Sequence, residues 1–168
     1  MGFPPRPGFL LRNIRHRHYH SVIERQIGLA ERLFAAVEEA ESRDVVLLGR
    51  TGNAAVLMAG LMENWYSFLE SAWQKISQAF ENHLAEGRWH ADLLEKMTLS
   101  IEGVRAPAVS EENYPAILEL LKFRHFRRYY YELEYDWDRL DFLLKRLRQA
   151  HPRAIADLRR FQDFLRSL

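Results

Sequence analysis

The side chains best suited to chemistry lie in one short stretch, residues 123–133, which holds three arginines, one histidine, two phenylalanines and three tyrosines. Guanidinium groups pair with phosphate, and aromatic rings stack on nucleic-acid bases. Similar side chains also occur on the solvated faces of ordinary helices. The stretch therefore indicates either an RNA-contacting surface or an internal network with Glu132, Glu134 and Asp136, and a purely internal network would bind no RNA.

A specific reaction on RNA is compatible with these residues. The 2′-hydroxyl of RNA can attack its own phosphate if a base removes its proton and cations stabilise the developing charge. Arg124, Arg127 and Arg128 could supply that positive charge. His125 is the nearby side chain that titrates around neutral pH, and Lys122 adjoins the stretch as a further cation.

Other chemistries have little support. The absence of cysteine excludes disulfides, thiolate metal sites and a cysteine nucleophile. There is no Gly-x-Ser-x-Gly elbow and no His-Glu-x-x-His pair. His16, His18 and His20 alternate, but on a helix they would spread around the surface and could not share one metal. We therefore expect no metal and no cofactor, and interpret this histidine segment as basic, solvated and able to touch phosphate.

Length and composition indicate one globular domain. The chain has 168 residues, of which 48% are hydrophobic and 28% charged. Its net charge is +1, so any surface that attracts nucleic acid must be local. No apolar run reaches the roughly 18 residues that a membrane helix needs, and the N-terminus lacks the apolar centre of a signal peptide. The expected location is the cytoplasm.

The hydrophobic pattern predicts an all-α, up-and-down bundle of five to six helices. Apolar residues recur at spacings of three and four, and no stretch alternates convincingly. We expect residues 1–20 to form a basic, Pro/His-rich arm and residues 21–168 the domain. Residues 49–53 read as a turn with a helix cap. The predicted helices span about residues 21–41, 53–83, 89–97, 113–134 and 136–151, with a final helix that starts at Pro152.

Two helical faces bear on function. Tyr66 and Glu70 are four residues apart, and either could be functional, but the spacing alone favours a surface hydrogen-bonding pair. In the helix that contains residues 123–133, the apolar stripe becomes polar halfway along. A buried arginine is costly unless it is paired or faces a partner, so this change indicates a cleft or a subunit interface. The stripe consists of Ile117, Leu120, Leu121, Arg124, Arg128 and Tyr131.

Four segments of the chain form a recognisable combination. They are Tyr66-x-x-x-Glu70, Gly87-x-Trp89-His90-x-x-Leu93-Leu94-x-x-Met97, Arg105-x-Pro107 and Phe123-Arg124-His125-Phe126. Together they resemble the HepT-like branch of the HEPN superfamily, and their order and spacing match from about residue 55 to about residue 147. The resemblance implies a HEPN-like helical bundle that forms a homodimer. It also implies a metal-independent endoribonuclease toxin, encoded beside a minimal nucleotidyltransferase antitoxin.

The resemblance further implies a cleft built from an Arg-x4-6-His motif of both subunits, often with a trailing tyrosine. Arg124 matches the motif arginine and Tyr131 the trailing tyrosine, but Tyr129 stands where the histidine belongs. A phenol, whose unperturbed pKa is about 10, is a poor base at neutral pH. On a regular helix His125 points roughly 100° away from Arg124 and about 40° from Tyr129. The candidate catalytic residues are Arg124, Tyr129, Tyr131 and His125, and the candidate RNA-binding residues are Arg127, Arg128 and Lys122.

Two functions follow from this resemblance. The first is a ribonuclease toxin that binds and cleaves RNA as a homodimer, with Arg124 stabilising the phosphate charge. The second is a catalytically impaired HEPN-fold interaction subunit that kept the surface for its nucleotidyltransferase partner. Restoring the motif by Tyr129→His distinguishes them, because only the impaired subunit would gain activity from the substitution.

Overall fold

The computed structural model describes residues 7–80, 89–129 and 135–167, and within these ranges the fold is all-α, as predicted. A π-helical turn, Ala40–Val45, and a single α-turn, Val46–Leu48, follow the first helix. The described ranges contain no strand, only an isolated bridge between Ile101 and Arg105. The five longer helices are α1 (Pro7–Glu39), α2 (Gly52–Phe80), α3 (Trp89–Thr98), α4 (Tyr114–Tyr129) and α5 (Trp137–Ser167).

Helix α2 is the centre of the bundle and contacts each of the other four helices. Its apolar stripe is buried, and Trp65, Leu69 and Trp73 are almost completely inaccessible to solvent. A helix surrounded by others needs a broad apolar surface, which explains the stripe that the sequence shows. Among the described residues, no helix is both long and apolar enough to span a bilayer.

The start of α2 is fixed by a turn and a side-chain cap. Gly49 has a φ of 74°, a region that favours glycine because a Cβ would be strained there. The Thr51 hydroxyl then accepts a hydrogen bond from the backbone N–H of Ala54 at 3.2 Å. This bond satisfies one of the orphan donors of the first helical turn. The prediction of a turn with a helix cap over residues 49–53 is confirmed.

Helix α1 begins earlier than predicted. The structure is helical from Pro7, whereas the sequence pattern places the start near Ser21. Proline is well tolerated in a first helical turn because its missing N–H would have no partner there. Arginine and histidine after it are acceptable in a helix, and Tyr19 already packs against the core. The division into an arm over residues 1–20 and a following domain stays a prediction.

Helix α5 continues through Pro152, so the predicted break at this residue is wrong. Proline inside a helix removes one backbone hydrogen bond. Here the buried face is unbroken, with Ala150 before the proline and Ala154 and Leu158 after it. Pro152 itself is exposed, so its ring lies towards solvent. Burial of this continuous apolar face stabilises α5 by more than the lost backbone hydrogen bond costs.

The loop between α3 and α4 is fastened by two buried polar side chains. The Arg105 guanidinium donates to the backbone carbonyls of Lys96 at 2.7 Å and Leu99 at 2.9 Å, which satisfies the end of α3. Asn113 immediately precedes α4. Its amide nitrogen donates to the Ala150 carbonyl at 3.1 Å and so ties α4 to α5.

Candidate functional site

The orientation of α4 determines which motif side chains face inward. The helix packs against α2, α3 and α5, and it buries Ile117, Leu120 and Phe123. Arg124 follows on this inner side and is only 6% exposed. The prediction of a polar residue on the buried stripe is therefore confirmed for Arg124 and wrong for Arg128, which is exposed. Its surroundings must compensate the charge, because an unpaired buried guanidinium would be strongly destabilising.

The Arg124 guanidinium is held by α2 and α3. Its Nη2 lies 3.0 Å from Oε2 of Glu70, and its Nε donates to the hydroxyl of Ser67 at 3.2 Å. Its Nη1 lies 3.3 Å from Nδ1 of His90. The guanidinium carbon is also 5.7 Å from the centre of the Tyr66 ring, within range of a cation–π contact. We call Tyr66, Ser67, Glu70, His90 and Arg124 the buried network.

The interpretation of Tyr66 and Glu70 as a surface pair is wrong. Tyr66 is fully buried and Glu70 is 2% exposed, because their face of α2 is covered by α3 and α4. Burial raises the pKa of Tyr66, and the negative charge of Glu70 adds to this rise. The Tyr66 hydroxyl has no hydrogen-bond partner among the described residues. The phenol is thus neutral across the physiological pH range and unsuited to act as a base.

His90 completes the network from the start of α3. Its Nδ1 lies 2.5 Å from Oε1 of Glu70, and the imidazole is 26% exposed while the Glu70 side chain is 3% exposed. The sequence alone gives His90 no role, although the Trp89-His90 and Tyr66-x-x-x-Glu70 segments both belong to the family resemblance. Twenty residues separate Glu70 from His90 in the chain. Only the packing of α3 on α2 brings them together.

Arg127 forms a second pairing with α2. Its Nη1 lies 2.5 Å from Oε2 of Glu63, and its Nε donates to the Tyr135 hydroxyl at 3.0 Å. The guanidinium passes over Gly60, where a Cβ would stand 3.5 Å from it. Within the part of the chain that the structure describes, Arg124, Arg127 and Arg128 therefore find their acidic partners on α2. The alternative network proposed residues 132–136 instead, and Glu132 and Glu134 lie outside the described residues.

The remaining basic candidates lie on the outer side of α4. Lys122, His125 and Arg128 are exposed and follow one another at intervals of three residues. Lys122 pairs with Glu119 at 2.8 Å, and Arg128 lies 3.7 Å from Glu63 with 57% of its side chain exposed. We call Lys122, His125 and Arg128 the outer basic row. Tyr129 ends α4, whereas its side chain and Tyr131 lie outside what the structure describes.

Metal binding receives no support from the described residues, which contain no cluster of three potential ligands. His18 is exposed on α1 and His20 is half-buried, and the side chain of His16 lies outside the described part. The buried network offers charged groups, hydrogen-bonding groups and one imidazole. These groups suit proton transfer and stabilisation of an anion.

The residues of this site lie within a region that matches a known protein family. A family model described as HepT-like protein matches residues 57–165. The matched region runs from within α2 to near the end of α5 and includes every residue of the buried network and the outer basic row. No curated protein and no solved structure matches the chain.

Proposed function

The chain belongs to the HepT-like family, and on that premise we propose that it is an endoribonuclease toxin of a toxin–antitoxin pair. The observation that carries the proposal is the fixed position of Arg124. Glu70 and Ser67 hold this motif arginine in one orientation beside His90, and the same orientation of α4 turns the outer basic row towards solvent. One helix thus combines an anchored cation with an accessible cationic surface.

RNA would contact the outer basic row. The side chains of Lys122 and Arg128 are exposed and lie beside Glu119 and Glu63. Each could exchange this surface ion pair for a contact with one backbone phosphate. Phe126, half-buried beside them, could stack on a base, and the guanidinium of Arg139 lies 6.0 Å from its ring. A local cationic surface of this kind is consistent with the overall charge of only +1.

The proposed reaction is transesterification. The 2′-oxygen of RNA loses its proton to a base and attacks the adjacent phosphorus. The bond from phosphorus to the 5′-oxygen breaks, and the leaving oxygen takes up a proton. Arg124 would stabilise the added negative charge on the phosphate, since its contacts with Glu70 and Ser67 engage only two of the five guanidinium donors. The products are a 2′,3′-cyclic phosphate and a 5′-hydroxyl.

Membership of the family also motivates the proposed partners. A second copy of the chain would bring another α4 to the cleft, so that Arg124, Tyr129 and Tyr131 of both subunits line it. A nucleotidyltransferase subunit would act as the antitoxin.

The test is cleavage of transfer RNA or messenger RNA by the purified protein. We expect wild type to produce fragments that end in a 2′,3′-cyclic phosphate. Lys122→Ala and Arg128→Ala should each raise KM about 10- to 100-fold, because a charge-assisted contact contributes about 1.5–3 kcal/mol. Lys145→Ala, which removes an exposed lysine from α5, serves as the matched control. Equal cleavage by all four proteins would contradict this binding surface.

A second candidate function is favoured by two specific observations. Tyr129 occupies the histidine position of the motif, and Glu70 neutralises the charge of Arg124. Under this alternative the chain is a catalytically impaired subunit that binds the nucleotidyltransferase without cleaving RNA. Wild type would then be inert and Tyr129→His would create cleavage. Equal activity of the two proteins would exclude this alternative.

A further inference from the structure

The missing motif histidine raises the question of which group could act as the base. His125 belongs to α4 but points roughly 100° around the helix from Arg124. Tyr129 is a phenol with an unperturbed pKa of about 10. His90, from a different helix, is the imidazole that contacts Arg124, with 3.3 Å between Nδ1 and Nη1. The linear motif lacks a histidine, but the packing of α3 places His90 beside the motif arginine.

Glu70 links the two groups through its separate oxygens. Oε2 lies 3.0 Å from Nη2 of Arg124, and Oε1 lies 2.5 Å from Nδ1 of His90. A carboxylate that forms an ion pair with a guanidinium accepts hydrogen bonds through both of its oxygens and donates none. The Nδ1 of His90 must therefore donate to Glu70. In the neutral ring this leaves the lone pair, and hence the basic site, on Nε2.

The accessibility of the three side chains assigns their roles. Glu70 and Arg124 are 3% and 7% exposed, whereas His90 is 26% exposed. A substrate can therefore reach the imidazole without displacing the buried ion pair. A buried carboxylate that fixes the tautomer and orientation of a more accessible histidine is the arrangement that catalytic dyads use to create a directed base.

We propose that His90 is the general base of the ribonuclease reaction, with Glu70 as its positioning residue. This assignment rests on the proposed function. Nε2 of His90 takes the proton of the RNA 2′-hydroxyl, and the 2′-oxygen attacks the adjacent phosphorus. The bond to the 5′-oxygen then breaks, and that oxygen leaves with the proton held by His90. The imidazole returns to its neutral form, so the step consumes no other reactant.

The most informative substitution is His90→Asn. The asparagine amide nitrogen can replace Nδ1 as the donor to Glu70, so the buried carboxylate keeps a partner while Nε2 is lost. We expect the rate of RNA cleavage to fall about 10²- to 10⁴-fold, the usual contribution of a general base. The midpoint of thermal unfolding should change little. Glu95→Gln, on the exposed side of the same helix, is the control and should cleave RNA like wild type.

A rescue experiment separates chemistry from structure. In His90→Gly the imidazole position is vacated, and because it is partly exposed, free imidazole can enter from solution. Added imidazole should restore part of the cleavage rate in this variant and should not accelerate wild type. A purely structural role of His90 would give no such rescue, so absence of rescue overturns the assignment even where His90→Asn is unstable.

The failures of the two proposals differ. Wild-type protein that cleaves no RNA contradicts the ribonuclease function itself, and the role of His90 falls with it. Active wild type together with an equally active, folded His90→Asn overturns the assignment of His90 alone.

Discussion

At the scale of single residues, the ion pair between Arg124 and Glu70 holds the buried network together. Both side chains are almost completely buried, so neither charge can be left alone without a large loss of stability. The same pairing fixes the guanidinium beside His90. Arg124 therefore has a structural role that precedes any contact with phosphate, and loss of activity in a variant at this position must be separated from loss of folding.

The stability of variants at this pair can be predicted. Arg124→Ala should lower the free energy of unfolding by about 3–5 kcal/mol, because Glu70 would remain buried without its main counter-charge. Urea denaturation measures this loss. Lys122→Ala on the exposed side of the same helix is the control and should stay within about 0.5 kcal/mol of wild type. A cost for Arg124→Ala as small as that of the control would show that the buried pair contributes little.

How far the site could be read from sequence depends on the residue. The inward position of Arg124 followed from its spacing to Ile117 and Leu120, since steps of three and four return to one side of a helix. The contact between Glu70 and His90 could not follow in this way. It depends on where α3 packs, and periodicity within one helix carries no information about the partner helix. The Tyr66–Glu70 pair was misplaced for the same reason.

At the scale of helices, local signals gave the right elements but not all of their ends. The starts of α2 and α3 agree with the glycine-rich turn and with the short apolar pattern near Trp89. The start of α1 and the continuity of α5 did not follow, because local rules weigh prolines and polar residues against a helix. In α5, burial of Ala154 and Leu158 in the core compensates for the backbone hydrogen bond that Pro152 removes.

Substitution of Pro152 tests whether tertiary packing outweighs the cost of a proline inside α5. If α5 is continuous and stabilised by tertiary packing, Pro152→Ala should restore the missing backbone hydrogen bond. Because Pro152 is exposed, the change should disturb little of the core. We expect the free energy of unfolding to rise by about 1–3 kcal/mol, up to the cost of a proline inside a helix. A decrease in thermal stability would indicate that the proline begins a separate helix, where it is favourable.

At the scale of the whole molecule, three helices contribute to one network. Helix α2 supplies Glu70, α3 supplies His90 and α4 supplies Arg124, so the site exists only when these helices are packed together. The outer basic row depends on the same packing, because the anchor of Arg124 sets the rotation of α4. The linear motif on α4 therefore does not by itself define this network.

The most direct test of the central claim compares RNA cleavage by wild type and by Tyr129→His under the same conditions. If the folded chain supplies its own base through His90, wild type cleaves RNA and restoring the motif histidine changes the rate by less than about tenfold, the factor that 1.4 kcal/mol represents. No cleavage by wild type, together with clear cleavage by Tyr129→His, would contradict this account and identify the chain as an impaired subunit.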